Sequence, residues 1–371
     1  MRLAAVIALC LPLIAMAQPV VPGFERFPRD TPAQQVTGGE VLITELNCVA
    51  CHAAGEDQSR RFQRRPAPVL FTHHNPAGAG WIRHWLLDPQ KLKPGTLMPD
   101  LLHGLDAEKK SETIEALRHY LMTLSPGSTP EAAIIGSSVE GKKLYRSLGC
   151  AQCHAPNARD NGRDIPLGEL RAKYTHANLI KFLRDPLHSR PAGRMPRTPM
   201  NEEEAAHLSV YLRDRLKPLD LHGLSRGPAV LKLQQEGAKL YQTLRCANCH
   251  QSPKLDVQPA FSKPLTEVNP QHGCLAPKPV ASVPHFHLNV AQRTAITAAL
   301  QAKPAAPTLV SETHRQLRQL NCTACHDRKA LGQPVWRLLG GARETCPGYT
   351  TFGFGYYDLE ELPVAAKAWR D

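Results

Sequence analysis

Beyond residue 17 the chain has no apolar run long enough to cross a bilayer, no methionine after Met200 and no histidine after His326. The first absence excludes a membrane helix from the mature chain, because about 20 consecutive apolar residues are needed to span. The others deny the C-terminal part a thioether of its own and leave its last stretch without an imidazole. Residues 1–17 read as a secretory signal. Arg2 supplies the positive end, Leu3 to Ala15 an apolar stretch too short to span, and Ala15-Met16-Ala17 a small-x-small cleavage site. Cys10 leaves with this segment, and Leu9 stands where lipid attachment requires a small residue. A periplasmic protein is expected.

Eleven cysteines in an exported chain would ordinarily suggest a disulfide framework. Eight of them instead form four equally spaced pairs, each followed at once by histidine: Cys48, Cys51 and His52; Cys150, Cys153 and His154; Cys246, Cys249 and His250; Cys322, Cys325 and His326. Segments 39–52, 141–154, 237–250 and 313–326 align without gaps, with Leu46, Leu148, Leu244 and Leu320 two residues before the first cysteine. Leu42-Ile43, Leu144-Tyr145 and Leu240-Tyr241 lie one turn earlier, which predicts an amphipathic helix running into each pair.

Two units share more. Ile82 to Asp88-Pro89 matches Leu179 to Asp185-Pro186, a helix halted by proline, and each is followed by a loop reaching Met98-Pro99 or Met195-Pro196. Closing helices carry Ile114, Leu117, Tyr120 and Leu121 in one unit, and Leu208, Tyr211 and Leu212 behind an Asn201-x-x-Glu204 capping box in the other. A third unit keeps only the closing helix, capped by Asn289 and Gln292, and a fourth keeps little beyond its cysteine pair. The units are placed at 31–125, 137–217, 232–302 and 308–371, the last one diverged or incomplete. The expected fold is all-α: tandem small helical domains with a loop-rich, diverged C-terminal half.

Cys-x-x-Cys-His suits covalent attachment of haem c. Two intervening residues set the sulfurs about one helical turn apart, matching the two vinyl groups, and carry the histidine beneath the iron. A single copy would leave a thiol–disulfide motif open, and two copies a zinc ribbon. Four copies behind the same helix in an exported chain favour four haems. Their propionates would add about eight negative charges, offsetting much of the formal +12 inside the fold. Nucleic acid is not an expected partner. The basic cluster Arg60, Arg61, Arg64 and Arg65 reads either as a solvated loop or as a docking face for an acidic redox partner.

Cys48-Val49-Ala50-Cys51-His52 through Met98-Pro99, and Cys150-Ala151-Gln152-Cys153-His154 through Met195-Pro196, resemble the class I c-type cytochrome family. The resemblance covers about 37–217 well and the remainder only through the cysteine motifs and one helix. It implies haem held between an N-terminal and a C-terminal helix and single-electron transfer. His52 and His154 would be proximal ligands, Met98 and Met195 distal ones. A thioether ligand favours ferrous iron. Met200 competes with Met195 but stands where the family packs an apolar residue under the closing helix, and Met122 reads as core.

The third unit departs from this pattern: Val283 replaces the methionine. His285 or His287 could ligate its iron, the iron could be open, or the ligand could come from elsewhere. For the fourth, His314, a residue of another unit, Lys367 or an open site are the alternatives. Cys274 and Cys346 remain as a candidate disulfide in an oxidising compartment. The function read from the chain is electron transfer between redox proteins, as a relay or as a subunit of a respiratory or dehydrogenase complex. The alternative is a haem enzyme acting on peroxide or a small sulfur or nitrogen compound at an open iron in unit 3 or 4.

Overall fold

The computed structural model describes residues 18–59, 61–70, 78–124, 133–155, 164–190, 193–214, 224, 227–250, 262–281, 283–303 and 309–322. Helices dominate them, with one two-stranded parallel pair, His154–Ala155 beside Ile165–Pro166. No helix among the described residues is long and apolar enough to cross a membrane. Cys325, His326, Cys346 and Lys367 lie outside the described residues.

A helix precedes the first cysteine of each motif: Pro32–Glu45, Ser138–Ser147, Val230–Thr243 and Leu309–Gln319. Closing helices span Ala107–Thr123, Glu202–Arg213 and Val290–Gln301. Their starts follow local chemistry. Both expected capping boxes form, at Asn201/Glu204 and Asn289/Gln292, and a third forms at Thr31/Gln34. Asp88 and Asp185 do more than end a helix: each side chain accepts from a backbone N–H three residues on, Lys91 or His188, and so caps the short turn that its proline opens.

Opening and closing helices cross at backbone contact, and a glycine permits it in every case. A Cβ on Gly141 would lie 2.1 Å from the carbonyl oxygen of His207, within the same unit. The other two crossings are exchanged. Gly39 of the first unit meets Ala295 of the third, where a Cβ would stand 1.9 Å from the carbonyl oxygen. Gly237 of the third unit meets Ala116 of the first, at 2.1 Å on the same measure. Helix Pro32–Glu45 therefore packs against Val290–Gln301, and Val230–Thr243 against Ala107–Thr123. Repeats 31–125 and 232–302 are units of sequence that interlock in space. Apolar periodicity specifies that a helix needs a partner, not which copy supplies it.

The exchanged segments meet back to back. Asp100 N–H donates to the His285 carbonyl at 2.9 Å and His285 N–H to the Asp100 carbonyl at 3.0 Å. These residues hold equivalent positions after Met98-Pro99 and Val283-Pro284, so the contact is self-complementary like that of a two-fold dimer. The segment ahead of residue 31, unassigned in the sequence reading, belongs to this core. Phe24 is fully buried, and the Gln292 side chain donates to the Pro19 carbonyl. Helix Leu309–Gln319 packs on the same region, against Pro22–Glu25 and Pro32–Glu45.

Adding a methyl at a crossing forces helices apart, an over-packing that costs about 1–3 kcal/mol. Gly39→Ala and Gly237→Ala should each lower the denaturant midpoint with little change in slope. Unchanged midpoints would show that the crossings are not at backbone contact.

Candidate haem-binding site

All four cysteine motifs begin the same way. The residue before the first cysteine adopts the left-handed conformation: Asn47 (φ 59°), Gly149 (φ 75°), Arg245 (φ 58°) and Asn321 (φ 57°). This ends the helix and turns the chain back on itself, at a cost of about 1–2 kcal/mol for a residue with a side chain. A single tight turn follows at Cys48–Ala50, Cys150–Gln152 and Cys246–Asn248. The His52 and His250 amides return to the carbonyls of Cys48 and Cys246 at 3.0 and 2.9 Å, so each pair of sulfurs and its histidine leave one turn together.

The histidines are oriented by backbone carbonyls. Nδ1 of His52 contacts the Lys263 carbonyl at 2.7 Å, Nδ1 of His250 that of Pro68 at 2.9 Å, and Nδ1 of His154 that of Ile165 at 3.3 Å. A carbonyl can only accept, so Nδ1 carries the proton and Nε2 keeps its lone pair, as a metal-ligating imidazole must. Burial, then the Lys93 charge, lowers His154 to about 4, and burial also lowers His250, which holds both in the neutral, ligating form. The Tyr145 and Tyr241 hydroxyls donate to the carbonyls of His154 and His250, each at 2.6 Å.

Burial drives the thiols the other way. Cys48 and Cys246 are pushed up to about 12, Cys150 and Cys249 to about 11. Redox-active thiols need the reverse, an environment that favours thiolate. Nor does any group of three or more His, Cys, Asp or Glu suited to a metal ion occur among the described residues. Among the described residues neither the thiol-redox nor the zinc alternative gains support.

The motifs open into one continuous, mainly apolar cavity of about 1840 Å³. A pocket for one drug-sized ligand holds about 300–1,000 Å³, so this space suits several large apolar groups. His52, His154, His250, Met98, Met195 and the seven described motif cysteines line it. Charged side chains line it as well, Lys93, Lys173 and Arg190 among the cations and Glu45, Glu169 and Glu267 among the carboxylates. Burial and the Arg190 charge lower Lys93 to about 8; burial, Arg190 and Lys93 lower Lys173 well below its usual value. Among the described residues no carboxylate acts on either lysine, and the acidic side arms of a haem would supply anions there. The residues fit the group.

Residues 138–215 match the family model for cytochrome c. A cytochrome c domain occupies this part of the chain. It is the repeat whose opening and closing helices pack on each other. Cytochrome c oxidase subunit 2 of Bacillus sp. (strain PS3) is 33% identical over 97 residues, which are 23% of this chain and 25% of that protein. The subunit of the same name from Bacillus subtilis (strain 168) is 34% identical over 98 residues, 24% and 26% of the two chains. The chain thus spans about a quarter of the length of the curated relatives it matches. No solved structure matches it.

In the cytochrome c domain, Met195 and Met200 both pack against the cluster of Tyr145, Leu179 and Leu208, but only Met195 reaches the cavity wall. Met98 reaches it too, its sulfur accepting from the Trp85 indole N–H at 2.8 Å. His285 does not line the cavity. Its ring stacks on His287 at 3.8 Å and meets His103 edge-on at 5.1 Å, so the structure gives it no iron-facing position. Val283 does line the cavity. Cys274 is a half-buried free thiol in the same wall, near Cys48 and Cys51; its candidate partner Cys346 is outside the described residues.

The basic cluster is neither docking face nor solvated loop where it is described. Arg61 pairs with Glu40, Arg65 with the buried Glu45, and Arg64 donates to the Asn248 carbonyl. Sequence reading missed these pairs, the cavity lysines and the tyrosine hydroxyls. The one available signal was tyrosine, rather than phenylalanine, at the same repeat position. Tyr145→Phe and Tyr241→Phe should each destabilise by about 1 kcal/mol, since a buried carbonyl loses its donor. Thermal midpoints equal to the parent's would show the hydroxyls to be idle.

Proposed function

We propose that the chain is an exported multihaem c-type cytochrome that passes single electrons between redox partners through four covalently bound haems. The observation that carries this reading is the repeated placement of two sulfurs and an imidazole, Nδ1 tied to a carbonyl, at the wall of a large apolar cavity. Bound haem supplies reversible one-electron chemistry at iron. The chain's own residues position it, exclude water and balance its charge. The cysteines would anchor it, His52, His154 and His250 would hold the metal, and Lys93, Lys173 and Arg190 would accept the acidic side arms.

The order of sites in space differs from their order in sequence. The Asn47 amide donates to the Cys249 sulfur at 3.6 Å and the Asn248 amide to the Cys51 sulfur at 3.4 Å, bringing the first and third motifs together. Asn321, at the fourth motif, donates to the Cys153 sulfur of the second at 3.6 Å. Two close pairs of sites suit a relay. Brief, small interfaces with a donor and an acceptor complete the reading, as electron-transfer encounters require. The partial likeness to subunits of an oxidase supports a place in a respiratory chain.

A second reading has its own observation. Val283 lines the cavity where a methionine stands in the other two complete repeats, and a valine offers iron nothing. An open iron there would bind a small molecule, and the chain would then be a haem enzyme fed by the remaining sites.

Intact mass of the mature protein should show four haem additions and loss of residues 1–17. Met195→Ala should lower one midpoint potential sharply in a redox titration and leave the others in place. Colourless protein with no added porphyrin mass would end the carrier reading. A high-spin ferric signal that cyanide abolishes would favour the enzyme reading.

A further inference from the structure

We infer that Met98 ligates the iron of the third site, opposite His250, and not that of His52 in its own repeat. The inference rests on the haem reading above and concerns which residues share one iron. By order along the chain, Met98 goes with His52, because both belong to the first repeat. Packing assigns it elsewhere.

The second repeat gives the internal standard, since all its parts come from one segment. There the Cys153 carbonyl accepts from the Ile165 amide at 2.8 Å, the Ile165 carbonyl orients His154, and Met195 packs against the same cluster as Tyr145 and Leu208. At the third site every equivalent of the Ile165–Met195 segment comes from the first repeat. The Cys249 carbonyl accepts from the Ala67 amide at 3.0 Å, and the Pro68 carbonyl orients His250. Leu70, Leu86, Leu117 and Leu121 pack with Tyr241 and Cys246. Met98 is fixed by its hydrogen bond from Trp85, one residue before Leu86 on helix Ala79–Leu87. Although the neighbouring Leu97 packs with the cluster at Cys48, Met98 is tied through Trp85 to the helix whose Leu86 packs with Tyr241 and Cys246.

The first site receives the reciprocal segment. The Cys51 carbonyl accepts from the Ser262 amide at 2.7 Å, and the Lys263 carbonyl orients His52. Leu265, Leu275, Leu288 and Phe286 pack with Cys48. Val283 belongs to this segment, so the iron lacking a methionine is the first, not the third. His103 of the first repeat donates from Nε2 to the Val283 carbonyl at 2.9 Å and, with the Asp100–His285 pair, locks the exchange. A soft thioether favours ferrous iron. Within the close pair of sites, the third is therefore the more easily reduced.

The test uses the full-length, haem-loaded protein and the strongly upfield-shifted methyl resonance of an iron-bound methionine in the ferrous state. One such resonance from Met98 and one from Met195 are expected, and Met98→Leu identifies the first by its loss. Replacing the third pair (Cys246→Ser with Cys249→Ser) should abolish the Met98 resonance, while Cys48→Ser with Cys51→Ser should leave it. Should either variant fail to mature, the wild-type protein decides: cross-relaxation should connect the Met98 methyl to the haem bearing the Cys246 and Cys249 thioethers. Connection to the Cys48 and Cys51 haem overturns the inference. So does an unshifted Met98 methyl in a protein that carries all four haems, an outcome that leaves the carrier reading intact. Absence of haem would instead remove the reading on which the inference stands.

Discussion

Where helices ending in Glu45, Ser147 and Thr243 cross their partners, a glycine lies against a backbone carbonyl, and the floor of each cavity is set by that contact. The crossing fixes the direction in which the opening helix leaves, and a left-handed residue then turns the cysteine pair into the cavity. A side chain at the glycine would separate the helices and move sulfurs and imidazole together. Adjacent contacts reinforce the geometry: Tyr120 lies against Tyr241 at 5.5 Å and Tyr211 against Tyr145 at 5.6 Å, in tilted arrangements that aromatic pairs prefer.

The polypeptide alone leaves much of its interior unfilled. Apolar side chains line the cavity, and among the described residues no carboxylate acts on its Lys93 or Lys173. Both features have one cause: the bound group completes the core. Its rings would replace missing apolar contacts and its acidic arms would meet Lys93, Lys173 and Arg190. Covalent attachment suits such a design, since a core made partly of cofactor is lost when the cofactor leaves. Other arginines near the motifs are matched by the chain's own carboxylates. Arg61 and Arg65 pair with Glu40 and Glu45, and Arg194 also holds Glu45, at 2.8 Å.

Self-similarity made the repeats, the capping boxes and the cysteine turns legible, because each depends on residues within about a turn of one another. Asn289 and Gln292 cap a helix whatever that helix packs on. The setting of His285 was not legible for the opposite reason: position after Val283-Pro284 says nothing of where a ring turns, and this one turns to His287 and His103. Arg61 and Arg65 were equally opaque, since the carboxylates that draw them inward lie about 20 residues away in the chain.

The sequence by itself determined that this is a helical chain with four Cys-x-x-Cys-His motifs, since local spacing and chirality settle those matters. Tertiary structure alone decided which repeat completes which site. The opening helices of the first three repeats present the same kind of glycine, at Gly39, Gly141 and Gly237, and each meets a closing helix at a backbone carbonyl, so local patterns accept either partner. Chain connectivity and the contact between Asp100 and His285 break that tie, joining the first repeat to the third while the second closes on itself.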